Sequence, residues 1–282
     1  MKMIRTIDEL KRWRESLDGP LGFVPTMGAL HEGHFSLVRC SKQENPYTIV
    51  SIFVNPTQFD DPEDLRKYPR TFERDKELLE REGVDAVFAP TVEEMYPKGF
   101  EDEDAHYDFG YLERILEGAH RPGHFKGVAQ VVAKLLRAVE PDVLYLGQKD
   151  YQQVLIIKKL IEKLSMPIKV VMCPTVRESD GLAMSSRNVR LSPQQRENAL
   201  ALYRSLIKAK EVYEQGGSVV EAKQEAMKIL ESAPLIKEID YFEIVDADTL
   251  KPINNWDEAD KVIALVAVRM EGVRLIDNMF IK

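Results

Sequence analysis

Apolar residues recur in two alternating patterns over the first two thirds of the chain. Short and nearly continuous apolar runs are typical of buried strands, and they alternate with stretches of helical spacing. The runs predicted as strands are 21–25, 48–54, 85–89, 143–146 and 168–172, and the predicted helices are 32–42, 71–81, 128–139 and 151–164. This alternation predicts an α/β fold, a Rossmann-like parallel sheet with helices on both faces.

A different pattern begins near residue 191. Ser192 followed by Pro193 is typical of a helix start, and Gly216 marks the end of that helix. The sequence predicts a second helix at 218–232 and strands at 239–245, 262–270 and 273–280. Helices followed by strands predict a smaller α+β domain. We therefore expect two domains, residues 1–188 and 189–282.

Composition narrows the possible partners. The 282 residues are 44% hydrophobic and 30% charged, which is typical of a folded globular protein. The net charge of −8 gives no basic field for nucleic acid. The N-terminal residues lack the apolar core of a signal peptide, and the most apolar C-terminal run, 262–268, is too short to span a bilayer. The sequence thus predicts a cytoplasmic protein without nucleic-acid or membrane partners.

The first candidate site is His31-Glu32-Gly33-His34, which follows a glycine turn after the strand at 21–25. Two imidazoles three residues apart in a helix share one face, and the first helical turn favours an anion. The pattern predicts a phosphate site with protons available. Half of a metal site and a solvated turn remain the alternatives, although the zincin motif spaces its histidines one residue further.

Polar turns also follow the second and the fourth predicted strands. Because ligands bind beyond the carboxyl ends of the strands in such folds, these turns are candidate site segments. Asn55 and Gln58 are amides that can fix a polar ligand without adding charge. Gly147 allows close backbone approach, Lys149 offers a charge for phosphate, and Asp150 can hold Mg²⁺ or cap the next helix. An ordinary turn and a solvated Lys–Asp pair are the alternatives.

Two further segments are rich in phosphate-binding residue types. The long loop at 174–188 contains Ser185, Ser186 and Arg187 and predicts a mobile phosphate clamp, with a flexible surface loop as the alternative. The segment 118–127 contains two histidines and two cations, and its glycines predict a loop. The chain has neither a P-loop motif nor a nucleophile elbow, which excludes those two enzyme classes.

Five segments together resemble the signature blocks of the pantothenate synthetase (pantoate–β-alanine ligase) family, within the nucleotidyltransferase superfamily shared with class I aminoacyl-tRNA synthetases. They are PTMGALHEGH (25–34), FVNPTQF (53–59), RPGHF (121–125), GQKDYQQ (147–153) and DGLAMSSRN (180–188). The resemblance implies a homodimer that ligates pantoate and β-alanine with ATP and Mg²⁺. Pantoyl adenylate would be the intermediate, and AMP and pyrophosphate would be released.

The resemblance also implies residue roles, with His34 as the catalytic acid and His31 beside it on phosphate. The implied ATP ligands are Met27, Gly28, Ala29, Leu30, His31, Glu32, Gly33, His34, Gly147, Gln148, Lys149, Asp150, Val176, Met184, Ser185, Ser186 and Arg187. The implied substrate ligands are Gln58, Gln153, Asn55, Arg121 and His124, and the implied metal ligand is Asp150.

One position departs from the wider superfamily, whose mobile loop often has a lysine where this chain has Ala183. We expect Lys149 or Arg187 to take the catalytic role of that lysine. A tRNA-charging relative, another nucleotidyltransferase acting on a different small substrate, and a silent nucleotide sensor are the competing functions. The acidic net charge disfavours the tRNA-charging relative. The FVNPTQF and GQKDYQQ segments disfavour another nucleotidyltransferase.

Overall fold

The structure is a computed structural model that describes residues 1–59, 61–100 and 107–282. The described chain divides into two compact units, one formed by residues 1–148 and 153–174 and the other by residues 149–152 and 175–282. Each unit has its own sheet. The sequence-based domain boundary after residue 188 stays a prediction.

The first unit is built on a six-stranded parallel sheet with the order β1-β4-β3-β2-β5-β6. Its strands are β1 (Lys2–Ile4), β2 (Leu21–Thr26), β3 (Tyr47–Ile52), β4 (Ala86–Phe88), β5 (Val143–Gly147) and β6 (Lys169–Cys173). Counted from β2, the order is 3-2-1-4-5, which is the order of doubly wound folds, with the switch point between β2 and β5. The predicted parallel α/β sheet is confirmed.

The ladder on one side of β2 is longer than on the other. β2 pairs with β3 from Leu21 to Thr26, whereas its pairs with β5 are formed by Gly22 and Phe23. The carboxyl end of β2 therefore extends beyond its ladder with β5. In a doubly wound sheet this is where a ligand crevice forms.

Helices flank this sheet, and the longer ones bury an apolar stripe. They are α1 (Ile7–Glu15), α2 (Glu32–Glu44), α3 (Pro62–Lys67), α4 (Phe72–Arg81), α5 (Val92–Met95), α6 (Glu117–His120), α7 (His124–Val139) and α8 (Tyr151–Lys163). Phe35, Leu37 and Val38 of α2 are buried, as the helical spacing predicts. The loop predicted at 118–127 is wrong in part, because α6 and the start of α7 lie there. Gly123, in the left-handed conformation with φ 82°, is the residue from which α7 begins.

The second unit combines α9 (Pro193–Glu214) and α10 (Val219–Glu231) with an antiparallel sheet in the order β7-β8-β9. The strands are β7 (Glu238–Asp246), β8 (Val262–Met270) and β9 (Val273–Phe280). Ser192 caps α9 with Pro193 in its first turn, which confirms the predicted helix start. The α+β prediction is confirmed. No helix within the described ranges is both long and apolar enough to cross a membrane.

Candidate active site

The turn after β2 has an unusual backbone that is fixed by local hydrogen bonds. Gly28 and Ala29 have φ angles of 81° and 50°, in the left-handed region. The Thr26 hydroxyl donates to the Ser51 carbonyl at 2.7 Å and accepts from the Gly28 N–H at 3.2 Å. A left-handed non-glycine residue such as Ala29 is strained and persists only where its surroundings hold it. The turn therefore enters α2 in one defined geometry.

The paired imidazoles lie at the start of α2, but His31 is not inside the helix. His31 is the N-cap residue with extended backbone, φ −144° and ψ 175°, and the helix begins at Glu32. The predicted helix start at residue 32 is confirmed, whereas the expectation that His31 also lies within the first helical turn is wrong. Their rings nevertheless lie side by side, with centroids 4.1 Å apart.

Hydrogen bonds to the two rings define which nitrogen carries the proton. The Gly33 N–H donates to Nδ1 of His31 at 3.2 Å, and the His31 N–H donates to Nδ1 of His34 at 3.3 Å. Because both Nδ1 atoms accept, each neutral ring carries its proton on Nε2. Two N–H donors thus stand at the positive end of a helix dipole, an arrangement suited to phosphate oxygens.

Glu32, between the histidines, is exposed and pairs with Arg39 on the same helix. Arg39 also pairs with Glu82 at 2.5 Å. These two carboxylates raise the pKa of Arg39 above its already high ordinary value. The pairing partly offsets the negative charge of Glu32 at the helix end where an anion would bind.

The turn after β3 brings an amide onto the turn after β2. The side chain of Gln58 donates from Nε2 to the Met27 sulfur at 2.9 Å. Asn55, which is buried, uses its amide on the protein itself: Oδ1 accepts from the Tyr96 hydroxyl at 2.8 Å, and Nδ2 donates to the Gly127 carbonyl at 3.3 Å. These bonds favour a supporting position for Asn55, and its contact with substrate stays a prediction.

The start of α7 holds the backbone of Gln58. His124 Nδ1 lies 2.8 Å from the Gln58 carbonyl, and His124 Nε2 lies 3.2 Å from the Arg121 guanidinium. A carbonyl and a guanidinium have fixed roles as acceptor and donor, so a neutral His124 carries its proton on Nδ1. Arg121 lies 3.9 Å from Glu117 and lines a cavity of about 500 Å³. The first unit thus brings together Met27, Gln58 and the histidine–arginine pair.

A buried carboxylate that sequence reasoning missed also belongs to this region. Asp75 of α4 accepts the backbone N–H groups of Ala29 and Leu30 at 2.8 and 2.9 Å. No motif marks Asp75, because its partners are 46 and 45 residues away. One signal was nevertheless present, since an aspartate interrupts the helical pattern of α4 on its buried side.

The predicted phosphate-binding segment at 147–150 ends in a short 3-10 helix, Gln148–Asp150. Within the second unit, the Lys149 carbonyl accepts from the Asn278 side chain at 2.8 Å, and Lys149 Nζ lies 3.8 Å from Asp150. Tyr151 donates its hydroxyl to the Ala247 carbonyl at 2.9 Å, and burial raises the pKa of Tyr151 to about 12. These contacts anchor the segment while leaving the Asp150 side chain about half exposed.

Asp150 is the predicted metal ligand. Across the described residues, no cluster of three or more His, Cys, Asp or Glu side chains could hold a metal ion by itself. A single carboxylate fits Mg²⁺ that is held mainly by phosphate oxygens and water. It does not fit a structural metal centre.

Gln153, the other amide predicted to bind substrate, lies in the first turn of α8 and belongs to the first unit. Its side chain is half-buried. The structure thus puts Gln153 two residues after the anchored Tyr151, and its contact with substrate stays a prediction.

The serine-rich loop has defined internal contacts. Arg177 pairs with the Ala183 backbone as an isolated bridge, and the Met184 N–H donates to the Val176 carbonyl at 3.0 Å. Ser185 caps a 3-10 helix, Ser186–Arg190, by accepting the Arg187 N–H at 3.2 Å. The predicted motion of this loop stays a prediction.

One ion pair anchors the loop to the sheet of the second unit. Arg177 donates to the two carboxylate oxygens of Asp277 at 2.6 and 3.0 Å and lies 4.7 Å over the ring of Tyr203. Asp277 is buried. Bidentate pairing of this kind fixes direction as well as distance, so it holds Arg177 in one orientation near the start of the loop.

Comparison of the sequence with known proteins matches one family along almost the whole chain. A model of the pantoate-beta-alanine ligase family matches residues 2–280. Pantothenate synthetases from Sulfurihydrogenibium sp. and Thermotoga petrophila are 52% and 50% identical; the alignments cover 92% and 99% of this chain, and 91% and 99% of those proteins.

Solved structures agree over the whole chain. Pantothenate synthetase from Thermus thermophilus has a TM-score of 0.94 at 48% identity, covering 100% of this chain and 99% of that one. Pantoate-beta-alanine ligase from Francisella tularensis, solved in complex with beta-gamma ATP and beta-alanine, has a TM-score of 0.81 at 36% identity, covering 100% and 98%. The chain therefore belongs to the pantoate–β-alanine ligase family.

Proposed function

We propose that this protein joins pantoate to β-alanine at the expense of ATP. In the first step, a pantoate carboxylate oxygen attacks the α-phosphorus of ATP, and the bond from that phosphorus to the β-phosphate oxygen breaks to release pyrophosphate. In the second step, the β-alanine amine attacks the acyl carbon, loses a proton and displaces AMP. The observation that carries the proposal is the family match over residues 2–280.

The turn after β2 and the start of α2 are proposed to bind ATP through residues 27–34. His34, with its proton on Nε2, donates to an oxygen of the leaving pyrophosphate, and His31 binds a neighbouring oxygen. Charge that develops on the leaving group is best stabilised by donors that are already in place. The bonds from backbone N–H groups to Nδ1 supply that preorganisation for both rings.

A second set of proposed ATP ligands is 147–150, Val176 and 184–187. Lys149 and Arg187 supply positive charge for the triphosphate, and the Ser185 and Ser186 hydroxyls offer hydrogen bonds. When bound, Mg²⁺ would neutralise charge on the departing phosphates, with Asp150 as its protein ligand. The Lys149–Asp150 spacing of 3.8 Å allows Asp150 to exchange this partner for the ion.

Gln58 and Gln153 are proposed to hold pantoate, with Gln58 also beside β-alanine. Pantoate has hydroxyls and a geminal dimethyl group, so an amide lying on the Met27 thioether matches both parts of it. Arg121 and His124 are proposed substrate ligands that also fix the Gln58 backbone. Asn55 completes this set.

The proposed assembly is a homodimer, and the proposed location is the cytoplasm, where ATP is supplied. Light scattering of the purified protein tests the assembly. The ligase function is tested by pyrophosphate release with ATP, pantoate and Mg²⁺, followed by AMP release on adding β-alanine. Pyrophosphate release that needs a different small acid, or ATP binding without turnover, would overturn the proposal.

A further inference from the structure

The carboxylate of Asp75 is completely buried in α4. Oδ2 accepts the Ala29 N–H at 2.8 Å, and Oδ1 accepts the Leu30 N–H at 2.9 Å. The Thr71 hydroxyl lies 3.1 Å from each oxygen. One side chain thus binds two consecutive peptide N–H groups, and a threonine at the start of its own helix fixes that side chain in turn.

The turn that Asp75 binds has a strained backbone and needs stabilisation by residues outside the turn. Gly28 and Ala29 are both left-handed, and Ala29 has a side chain that disfavours this conformation. A carboxylate can accept from both N–H groups at once because it has two oxygens. A methyl group at Gly28 would come within 3.1 Å of Oδ2, so the carboxylate and the turn are packed against each other.

This carboxylate is costly for the fold. Across residues 1–59, 61–100 and 107–282, no lysine or arginine pairs with Asp75, whose partners are backbone and hydroxyl donors. Burial of a carboxylate without a cation is unfavourable. An apolar residue at this position would avoid burying a charge, but it would take the side-chain acceptor away from the Ala29 and Leu30 N–H groups.

These bonds fix the backbone directly before the paired histidines. Leu30 is followed directly by His31, the N-cap whose ring contacts His34. A fixed Leu30 N–H therefore fixes the entry into α2 and the positions of both Nε2 atoms. We propose that Asp75 is a positioning residue for adenylation, which sets the paired imidazoles against the α- and β-phosphates; this inference rests on the proposed function.

Asp75→Asn tests the proposal, because an amide keeps one acceptor oxygen and turns an N–H donor toward a peptide N–H. We expect the kcat for pantoate-dependent pyrophosphate release to fall about 100-fold, as for a reacting group displaced by ~1 Å. The KM for pantoate stays within about threefold. AMP release from supplied pantoyl adenylate and β-alanine also keeps its kcat within about threefold, since no pyrophosphate leaves in that step.

Two variants keep the test interpretable if Asp75→Asn folds poorly. Thr71→Ala removes the hydroxyl that orients the carboxylate and leaves both backbone bonds, so a smaller loss in adenylation of about tenfold is expected. Asp85→Asn is the matched control, because Asp85 also accepts a backbone N–H, that of Thr48 at 2.8 Å, away from the turn. Asp85→Asn retains adenylation activity.

NMR of the histidine rings gives a readout that does not depend on activity. The protein has five histidines, so the ring signals of His31 and His34 can be assigned by substitution. Asp75→Asn shifts these two signals, and Asp85→Asn does not. Unchanged ring signals, or equal losses in both half-reactions, would overturn the positioning role. A ring shift in Asp75→Asn together with a wild-type protein that releases no pyrophosphate would instead overturn the proposed function.

Discussion

Replacing Gly127 with alanine tests whether the turn that carries Gln58 must lie where the structure has it. A Cβ atom at Gly127, on α7, would lie 2.1 Å from the Thr57 carbonyl oxygen, 2.5 Å from its carbon and 2.8 Å from the Gln58 Cα. The shortest usual contact distance between a carbon atom and a carbonyl oxygen is ~3.3 Å. The turn or the helix therefore has to retreat by about 1 Å. Because all three contacts are backbone atoms, rotation of a side chain cannot relieve them.

This displacement should lower the free energy of unfolding only slightly, whereas it should lower the reaction rate strongly. Overpacking lowers the free energy of unfolding by about 1–3 kcal/mol. The higher helix propensity of alanine offsets about 1 kcal/mol of this loss. We therefore expect Gly127→Ala to fold, with a free energy of unfolding lowered by at most ~2 kcal/mol. A reacting group misplaced by ~1 Å can lose about 100-fold in rate, so kcat/KM for pantoate should fall by about that factor.

The measurement combines initial rates of pyrophosphate release over a pantoate titration with urea denaturation. Arg137→Ala, an exposed change on the same helix, is the control for general perturbation of α7 and keeps both activity and stability. Full activity of a folded Gly127→Ala protein would show that pantoate binding does not depend on the position of this turn.

Three further predictions concern the anchors around the site. His124→Ala removes a donor to the Gln58 carbonyl, so KM for pantoate rises about tenfold, the equivalent of ~1.4 kcal/mol, in steady-state kinetics; an unchanged KM would contradict this. Asp277→Ala leaves the Arg177 guanidinium without its carboxylate and lowers the free energy of unfolding by about 3–5 kcal/mol in urea, where a loss below ~1 kcal/mol would be incompatible with a stabilising ion pair. The raised pKa of Tyr151, about 12 against 10.0, contributes stability that is fully present below about pH 10 and is lost, by about 2–3 kcal/mol, as the pH rises toward about 12. In Tyr151→Phe, the free energy of unfolding measured in urea should therefore depend less on pH over that range. An unaltered pH dependence would show that Tyr151 is not the group responsible.

Sequence patterns predicted best those elements in which a clear apolar run is bounded by clear turn residues at its ends. β8 and β9 match the predicted residues 262–270 and 273–280, because their apolar runs are bounded by a two-residue turn. β1 and α1 were not predicted. β1 has three residues and too short a run to form a pattern. α1 does have a sequence signal that was not used, because Thr6 and Glu9 form a capping box and Leu10 and Trp13 lie on its buried side.

The candidate site was predictable where chemistry is local and not where it depends on distant contacts. The histidine pair can be found from four consecutive residues, although the sequence does not reveal that His31 caps the helix. The burial of Asn55 and the backbone bonds of Asp75 depend on partners 41 to 72 residues away. Such pairs leave no spacing in one sequence, because the fold alone brings them together.

The early separation of β2 from β5 has a chemical cause in Pro25. This residue lies in β2 beyond the last pair with β5, and its ring nitrogen has no hydrogen to donate to a neighbouring strand. The ladder between the two strands therefore could not continue through that nitrogen, whatever β5 did. The covalent structure of the chain therefore withholds a ladder hydrogen bond from β5 at the carboxyl end of β2.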